Sequence, residues 1–320
     1  MRLVWTILAW AITIFGVIVF IAWLVGEICS NRWHWSQWLL WIPSPLVIVI
    51  LLVSLLGGIK CWYPMQIQWQ RMAPLVLALL FVTAFFTLWE HRFFRQAQNP
   101  RDGLSILCWT MASRTISEKG EEVFFHEVNP DIAILTWGDD LARSKTLFKN
   151  HLPNHQLYRG DGVVTVLSKF PVQEIRPVIW NSGLYMSLVV IDASPFFSEP
   201  LVVYVVDLPS STKIGRMQIA NDLKKILDKL ELPPPDLVVG DFNMNRGSSA
   251  IRKMFPDMRN AYNVAGSGYA ASFPREWPIY HIDLALLGPR ITATGYELID
   301  SGMARHWAQL LHIKPISAPQ

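Results

Sequence analysis

From Leu3 to Val25 the chain runs through apolar residues without a single charge, about the length an α-helix needs to cross the hydrocarbon core of a bilayer. Two more apolar runs follow. One goes from Trp38 to Ile59, interrupted near its start by Pro43 and Pro45, and a shorter one goes from about Ala73 to Trp89. The pattern predicts three transmembrane helices, at about 3–25, 38–59 and 73–89. Trp33, Trp35, Trp38 and Trp41 crowd one boundary, and Trp62 and Tyr63 the next, as amphipathic rings do at headgroup level. The first run is too long for the apolar core of a cleavable signal, and no small-residue cleavage pattern follows it, so it reads as a retained anchor. No ionisable residue lies in mid-span, so nothing points to an ion or proton path.

Between Glu90 and Arg101 the sequence turns polar (HRFFRQAQNPRD), which reads as a short linker. The expected organisation is a membrane anchor with its linker over residues 1–100 and a soluble domain over 101–320. In that second part short β-like runs alternate with turns: Leu104–Trp109, Ile132–Thr136, Val163–Ser168, Tyr185–Ile191, Leu201–Val206, Leu237–Gly240, His281–Leu287 and His306–Ile313. One amphipathic helix is predicted near Arg216–Leu230, with Met217, Ile219, Ile226, Leu227 and Leu230 on its apolar face. Many strands with a few helices imply an α+β architecture, mixed sheets in a sandwich covered by helices.

Composition fits this division. Hydrophobic residues make up 52% of the 320, with 15 Trp and only 17% charged residues, and the apolar excess sits before Glu90. The formal charge of +3 comes with no dense Lys/Arg stripe, so no nucleic-acid partner is expected. Cys29, Cys61 and Cys108 show neither zinc-site nor disulfide-framework spacing. Positive residues flank the spans almost evenly, with Arg2, Lys60 and Arg71 on one side and Arg32, Arg92, Arg95 and Arg101 on the other. Three spans put the N-terminus and the domain on opposite faces. Arg2 beside the first helix favours an N-terminus inside and an extracytoplasmic domain.

Gly240-Asp241-Phe242-Asn243 directly follows the apolar run Leu237–Val239. A carboxylate and an amide two residues apart at a strand end point into one site, where the Asp accepts a proton from water and the Asn donates to a phosphoryl oxygen. Alone, the tetrapeptide also fits an Asx turn. Further on, His281-Ile282-Asp283 opens another apolar run, and Gly302-Met303-Ala304-Arg305-His306 leads into the last.

The ordered set of GDFN, ID and a late His resembles the endonuclease/exonuclease/phosphatase superfamily, which includes DNase I-like nucleases, sphingomyelinases and inositol phosphatases. Weaker matches agree in order. LSILCWTMAS at 104–113 resembles its opening strand, PDIAILT at 130–136 its "PDV-x-x-LQE" strand, and GVVTVLSKFPV at 162–172 its "G-x-A-x-L-S-R-x-P" segment. The resemblance covers Leu104 to Ile313 and implies a DNase I-like sandwich of two mixed sheets flanked by helices. The three-span anchor is similar to a bacterial subgroup that includes a teicoplanin-resistance membrane protein with an outward-facing domain. That implies an inner-membrane location.

Carried over by position, the resemblance makes Asp241 the general base, Asn243 the phosphate-contacting amide, and Asp283 with His306 the pair in which a carboxylate orients a phosphate-binding imidazole. The departures cluster. Thr110 stands where the family has Asn, Trp137 where it has the metal-binding Glu, Asp207-Leu208 where it has "HL", and Arg305 at the Asp of "S-D-H". Magnesium needs hard oxygen ligands, usually one or two carboxylates. Trp137 supplies none and Arg305 would repel the ion, so no metal is expected although the family implies Mg²⁺. Three readings follow. The first is a catalytically silent domain binding a phosphorylated or other anionic ligand through Asn243, Arg305, His306 and Asp207. The second is a phosphoesterase of altered chemistry, with Arg305 supplying the metal's charge or Asp139 or Asp140 a displaced ligand. The third is an interaction module with an unused pocket. If Arg305 replaces the metal, it should point into the cleft within reach of Asp207.

Overall fold

The computed structural model describes residues 2–62, 69–96, 102–112, 118–138, 152–160, 163–181 and 183–316. Three N-terminal helices are long and apolar enough to cross a membrane, over Leu3–Cys29, Ser44–Cys61 and Ala73–Glu90. The first, α1, spans Arg2–Cys29. The second run does not start a span at Trp38. A separate short helix, α2 (His34–Leu40), precedes the spanning α3 (Ser44–Trp62). Pro43 and Pro45 explain the break, because proline lacks an N–H and is tolerated only in the first turn of a helix. The third span is α-helical as α4 (Ala73–Ala84) and continues as one π-helical stretch through Phe85–Glu90. Small or polar side chains such as Ala9 and Thr13 sit inside the bundle against Val47, Leu51 and Leu75.

The first residue of the polar segment after Glu90 is fixed to the domain. His91 accepts a hydrogen bond at Nδ1 from the Ala270 N–H (2.8 Å), and the Tyr262 hydroxyl donates to the His91 carbonyl (2.5 Å). The α1–α3 connection is also fixed to the domain. Gln37 donates to the Thr212 carbonyl (2.8 Å) while its Oε1 accepts from the Arg216 N–H (2.9 Å). Asn245 donates to the Leu40 carbonyl (3.2 Å) and the Ser249 N–H to the Ser30 hydroxyl (2.9 Å). Trp33, Trp35 and Trp38 stay exposed on α2. Tyr63 lies outside the described residues.

Among the described residues twelve strands and four helices follow: β1 (Leu104–Thr110), α5 (Glu118–Val128), β2 (Ile132–Thr136), β3 (Gln156–Arg159), β4 (Val164–Ser168), β5 (Val172–Asn181), β6 (Leu184–Ile191), β7 (Leu201–Asp207), α6 (Arg216–Leu227), β8 (Leu237–Asp241), α7 (Ser249–Met254), β9 (Arg259–Asn260), a one-turn helix Ala261–Ala265, β10 (Asp283–Leu287), β11 (Ile291–Ile299) and β12 (Ala308–Pro315). They form two six-stranded mixed sheets, ordered β11-β12-β1-β2-β4-β3 and β5-β6-β7-β8-β10-β9. Ile106, Ile134 and Val166 of the first sheet meet Val189, Val203 and Val239 of the second in the shared core. Outside it, Phe124 and Phe125 of α5 cover one sheet, and Ile219 and Leu223 of α6 with Ile251 and Met254 of α7 cover the other. This is the DNase I-like sandwich expected from the sequence.

Several boundaries differ from the sequence reading. The helix expected to Leu230 ends at Leu227, β10 begins at Asp283 instead of His281, and β12 begins at Ala308 instead of His306. Strands β3, β5, β9 and β11 and the helix α5 were not anticipated. All four strands are sheet edges, where half-solvated positions blur the apolar signal. β5 also carries a register shift beside Pro177, a residue confined to edges and bulges.

Candidate active site

Three strand ends place three carboxylates side by side. β8 ends at Asp241, β10 begins opposite it with Asp283, and β7 ends beside it with Asp207, in register Asp283↔Asp241 and Asp207↔Asp241. Residues paired across neighbouring strands project to the same face, so the sheet itself crowds these acids. Gly240 lets β8 approach β7: at φ +131 its backbone lies so close that an added Cβ would sit 1.9 Å from the Val206 carbonyl oxygen. The apolar run of β8 thus delivers Asp241 to a tight strand end, and Phe242, fully buried, locks the turn behind it.

His306 arrives from the turn before β12, out of the other sheet. Its Nδ1 lies 2.9 Å from Asp283 Oδ2, and the Ser272 hydroxyl donates to the same oxygen at 2.5 Å. The Trp109 indole donates to the His306 carbonyl (3.1 Å), and the Phe273 ring stacks beside the imidazole at 4.7 Å. Single ligand atoms of Asp241, Asp283 and His306 all lie within 4.8 Å of one another. Asn243, at φ +48, turns its own N–H onto Asp241 Oδ1 (2.7 Å), and its side-chain amide donates to the Leu208 carbonyl (2.7 Å). The Asx turn and the site are therefore one object. The backbone takes one of the two N–H donors of the amide expected to meet a phosphoryl oxygen.

The crowding sets the protonation. Burial lifts the Asp241 carboxyl well above its ordinary range, and the charges of Asp283 and Asp207 add to this against the pull of His306. Burial likewise pushes Asp207 up to about 6, against the lowering effects of the Trp137 hydrogen bond and of His306. For His306, burial alone would lower the pKa. The charge and hydrogen bond of Asp283, then Asp241 and Asp207, outweigh it and hold the imidazole above its ordinary value. Asp207 and Asp241 are thus held toward the protonated acid and His306 toward the charged ring.

The structure brings together Asp207, Asp241, Asn243, Asp283 and His306. It does not bring in Arg305. That side chain is exposed, with its carbonyl accepting from the Arg275 N–H (2.9 Å), and the partner of Asp207 Oδ2 is the Trp137 indole, which donates at 2.6 Å. The expected Arg305–Asp207 pair is not formed. Trp137 adopts φ +58 just past β2, so the residue read only as a loss acts as a hydrogen-bond donor. Asp139 and Asp140 lie outside the described residues. The sequence reading missed Ser272, which no motif marks. It also missed the buried Arg216, whose guanidinium donates to the Pro209 and Ser210 carbonyls and holds the loop after Asp207.

Do these residues fit a magnesium ion? Magnesium demands near-octahedral oxygen ligation. Asp283 Oδ1 is buried without a partner and is a free ligand atom. Asp283 Oδ2 meets Ser272 and His306, Asp241 Oδ1 accepts from Asn243 and Asp207 Oδ2 from Trp137, while Asp241, Asp283 and His306 still offer ligand atoms within 4.8 Å of one another. The carboxylate position after β2 holds an indole. The set therefore lacks one carboxylate that the resemblance implies for the ion.

Residues 124–309 match the Endonuclease/Exonuclease/phosphatase family. No curated protein matches the chain in sequence. Among solved structures, a humanized TDP2 of D. rerio carrying 14 mutations superposes with a TM-score of 0.51 at 14% identity, covering 66% of this chain and 98% of that one. The mannosyl-6-phosphatase of Bacteroides thetaiotaomicron gives 0.50 at 12% identity over 66% and 99%. The human Nocturnin catalytic domain with bound sulfate gives 0.50 at 11% over 68% and 96%. At such identities the likeness is one of fold.

Proposed function

Because the chain belongs to the Endonuclease/Exonuclease/phosphatase family, we propose that it is a membrane-anchored member whose metal site has been dismantled, leaving a domain silent in magnesium-dependent phosphoester hydrolysis. We divide it near residue 100 into anchor and domain, and we group it with the bacterial members similar to the teicoplanin-resistance membrane protein, with the domain outside the cytoplasm. One observation carries the reading: the Trp137 indole, at the position where the resemblance expects the metal-binding Glu, donates to Asp207. A Lewis acid at that position would stabilise charge on the phosphoryl oxygens, a contribution of several kcal/mol, and an indole cannot replace it. The anionic ligand anticipated from Arg305 loses its support. Arg305 is exposed, and an anion in the cluster would meet three carboxylates.

The test is hydrolysis of phosphomonoesters and phosphodiesters by the full-length protein in detergent, with Mg²⁺, Mn²⁺ or a chelator. The expected result is no metal-stimulated turnover above that of Asp241→Asn. Turnover that Mg²⁺ stimulates and Asp241→Asn abolishes would overturn the reading. A second reading, an active phosphoesterase with Asp241 as base and altered charge stabilisation, is favoured by the partnerless Asp283 Oδ1 beside Asp241 and His306. It predicts turnover that persists in the chelator.

A further inference from the structure

A cavity of about 470 Å³ lies where the ends of α1 and the third span meet the sandwich. Its membrane-side wall includes Trp23, Phe81, Phe85 and Trp89, and its domain-side wall Arg246, Arg252 and His281. Phe81 and Trp89 are 50% and 66% exposed, so the cavity opens onto the flank of the helices that faces lipid. It is separate from the Asp241 cluster.

Its polar groups include three acceptors short of donors, beside one buried donor, Trp23 Nε1, that lacks an acceptor. Glu27 and Glu90 line it from the ends of the two spans, and neither makes an ion pair among the described residues. Glu90 Oε2 is buried without a hydrogen-bond partner, while Ser44 and the charge of Arg246 act on the same carboxylate. His281 is 7% exposed, and its Nδ1 is likewise buried without a partner. Its tautomer follows from its neighbours. The Tyr296 hydroxyl donates to Gln309 Oε1 (3.0 Å) and therefore accepts from His281 Nε2 (3.1 Å), which leaves Nδ1 as a bare acceptor. Burial, with the charge of Arg246 adding to it, holds His281 far below its ordinary range, in keeping with a neutral ring. Arg246 does not answer these acceptors. It donates to the Glu90 carbonyl (2.5 Å), the Trp89 carbonyl (3.3 Å) and Asn263, and lies 4.5 Å over the Tyr262 ring. Arg252 is exposed at the rim.

Unpaired buried acceptors cost free energy that a matching donor recovers. A primary ammonium has three N–H donors and the complementary charge. The aromatic walls that open to lipid require that this ammonium be carried on an amphiphile. We infer that the cavity holds the headgroup of an aminophospholipid, with its ammonium among Glu27, Glu90 and His281, its phosphate toward Arg252, and its chains along Trp23, Phe81 and Trp89. A quaternary ammonium offers no N–H to these acceptors, and an anionic headgroup faces two carboxylates.

The experiment measures lipid retention by native mass spectrometry and the melting temperature of the full-length protein in detergent, with added phosphatidylethanolamine, phosphatidylcholine or phosphatidylglycerol. Phosphatidylethanolamine should bind at least about tenfold more tightly than the other two, the scale of one charge-assisted hydrogen bond, and should raise the melting temperature. Glu27→Gln combined with Glu90→Gln should erase the preference while melting near wild type without lipid. If that double variant fails to fold, Arg252→Glu carries the test by removing the phosphate contact at an exposed position. Equal retention of the three lipids, tighter binding of phosphatidylglycerol, or unchanged preference in the folded variant overturns the assignment.

Discussion

The anchor and the sandwich use the same apolar residue types in opposite directions. In α1, Ile18 is 57% exposed while Thr13 is 4% exposed, so the apolar side chains face outward and the polar one inward. In β2, β4, β8 and β10 every residue is buried. Lipid and protein core are equally apolar, so what distinguishes the two regions is packing. A side chain in the sandwich is surrounded by fixed neighbours, whereas one on the outer face of a span has fluid ones. Identical substitutions should therefore read very differently in the two regions.

The largest contrast uses glycine. Gly240→Ala puts a Cβ 1.9 Å from the Val206 carbonyl oxygen at a positive φ, where neither backbone nor neighbour gives way. It should destabilise the domain by about 4 kcal/mol or more and leave little folded protein. Gly57→Ala in α3 meets nothing nearer than Ile12 at 3.5 Å, and should shift the melting temperature by no more than about 1 kcal/mol warrants. Similar losses at both positions would erase the distinction. Leu284→Ala, in the middle of a wholly buried strand, should cost roughly 3 kcal/mol, within the range for cavity-forming core truncations. Ile18→Ala, on the outer face of α1, should cost less than about 1 kcal/mol in detergent, as read from thermal melts.

Charge sharpens the comparison next, because buried titration sits in the sandwich at the Asp207–Asp241–Asp283–His306 cluster. Burial lifts Asp207 from 3.8 to about 6 and raises Asp241 as well, and His306 is held above 6.5 by its three carboxylate neighbours against the effect of burial. Each of these groups holds its proton more tightly in the folded state than in the unfolded chain. Its stabilising contribution is complete below the unfolded pKa and lost as pH rises through the folded one. The cluster's contribution to the melting temperature should fall between pH 5 and pH 8, against the opposite trend below about pH 6.5 from His281 and His91, whose pKa values burial lowers. Asp207→Asn, which mimics the protonated acid, should flatten the lower part of that fall and stabilise the protein at pH 8 by roughly 2 kcal/mol. A melting temperature that rises steadily from pH 5 to pH 8 is the outcome against it.

How far the sequence reveals this molecule depends on where each residue's environment is decided. The central strands β1, β2, β4, β7, β8 and β10 were legible because buried strands are continuous apolar runs. The edges β3, β5, β9 and β11 were not, since half-solvated positions carry no such run. In the anchor, length and hydropathy located the spans, and Pro43 with Pro45 held the information that Trp38–Leu40 belong to a separate helix. At the site, the ordered motifs GDFN, ID and a late His gathered Asp241, Asn243, Asp283 and His306 through their resemblance to the family. Ser272 and the docking of Trp137 on Asp207 were beyond reach, because they depend on contacts between elements 11 and 70 positions apart.

The smallest expected effect concerns Arg305, the residue whose reading from sequence and placement in the structure diverge most. From sequence its charge stands where a metal-site acid is expected, and it should enter the cleft. In the structure its side chain is exposed and the Trp137 indole occupies the carboxylate it was to meet. A solvated guanidinium on a turn contributes little to stability, so Arg305→Gln should change it by no more than about 0.5 kcal/mol. The sharper readout is the titration of the cluster. A cation seated beside Asp207 would favour the ionised carboxylate, and removing it would shift the pH step upward. With Arg305 in solvent, the step near pH 6 should stay in place in Arg305→Gln and should move in Trp137→Phe, which deletes the donor that lowers the Asp207 pKa. A step that moves with Arg305 and ignores Trp137 would return the guanidinium to the cleft.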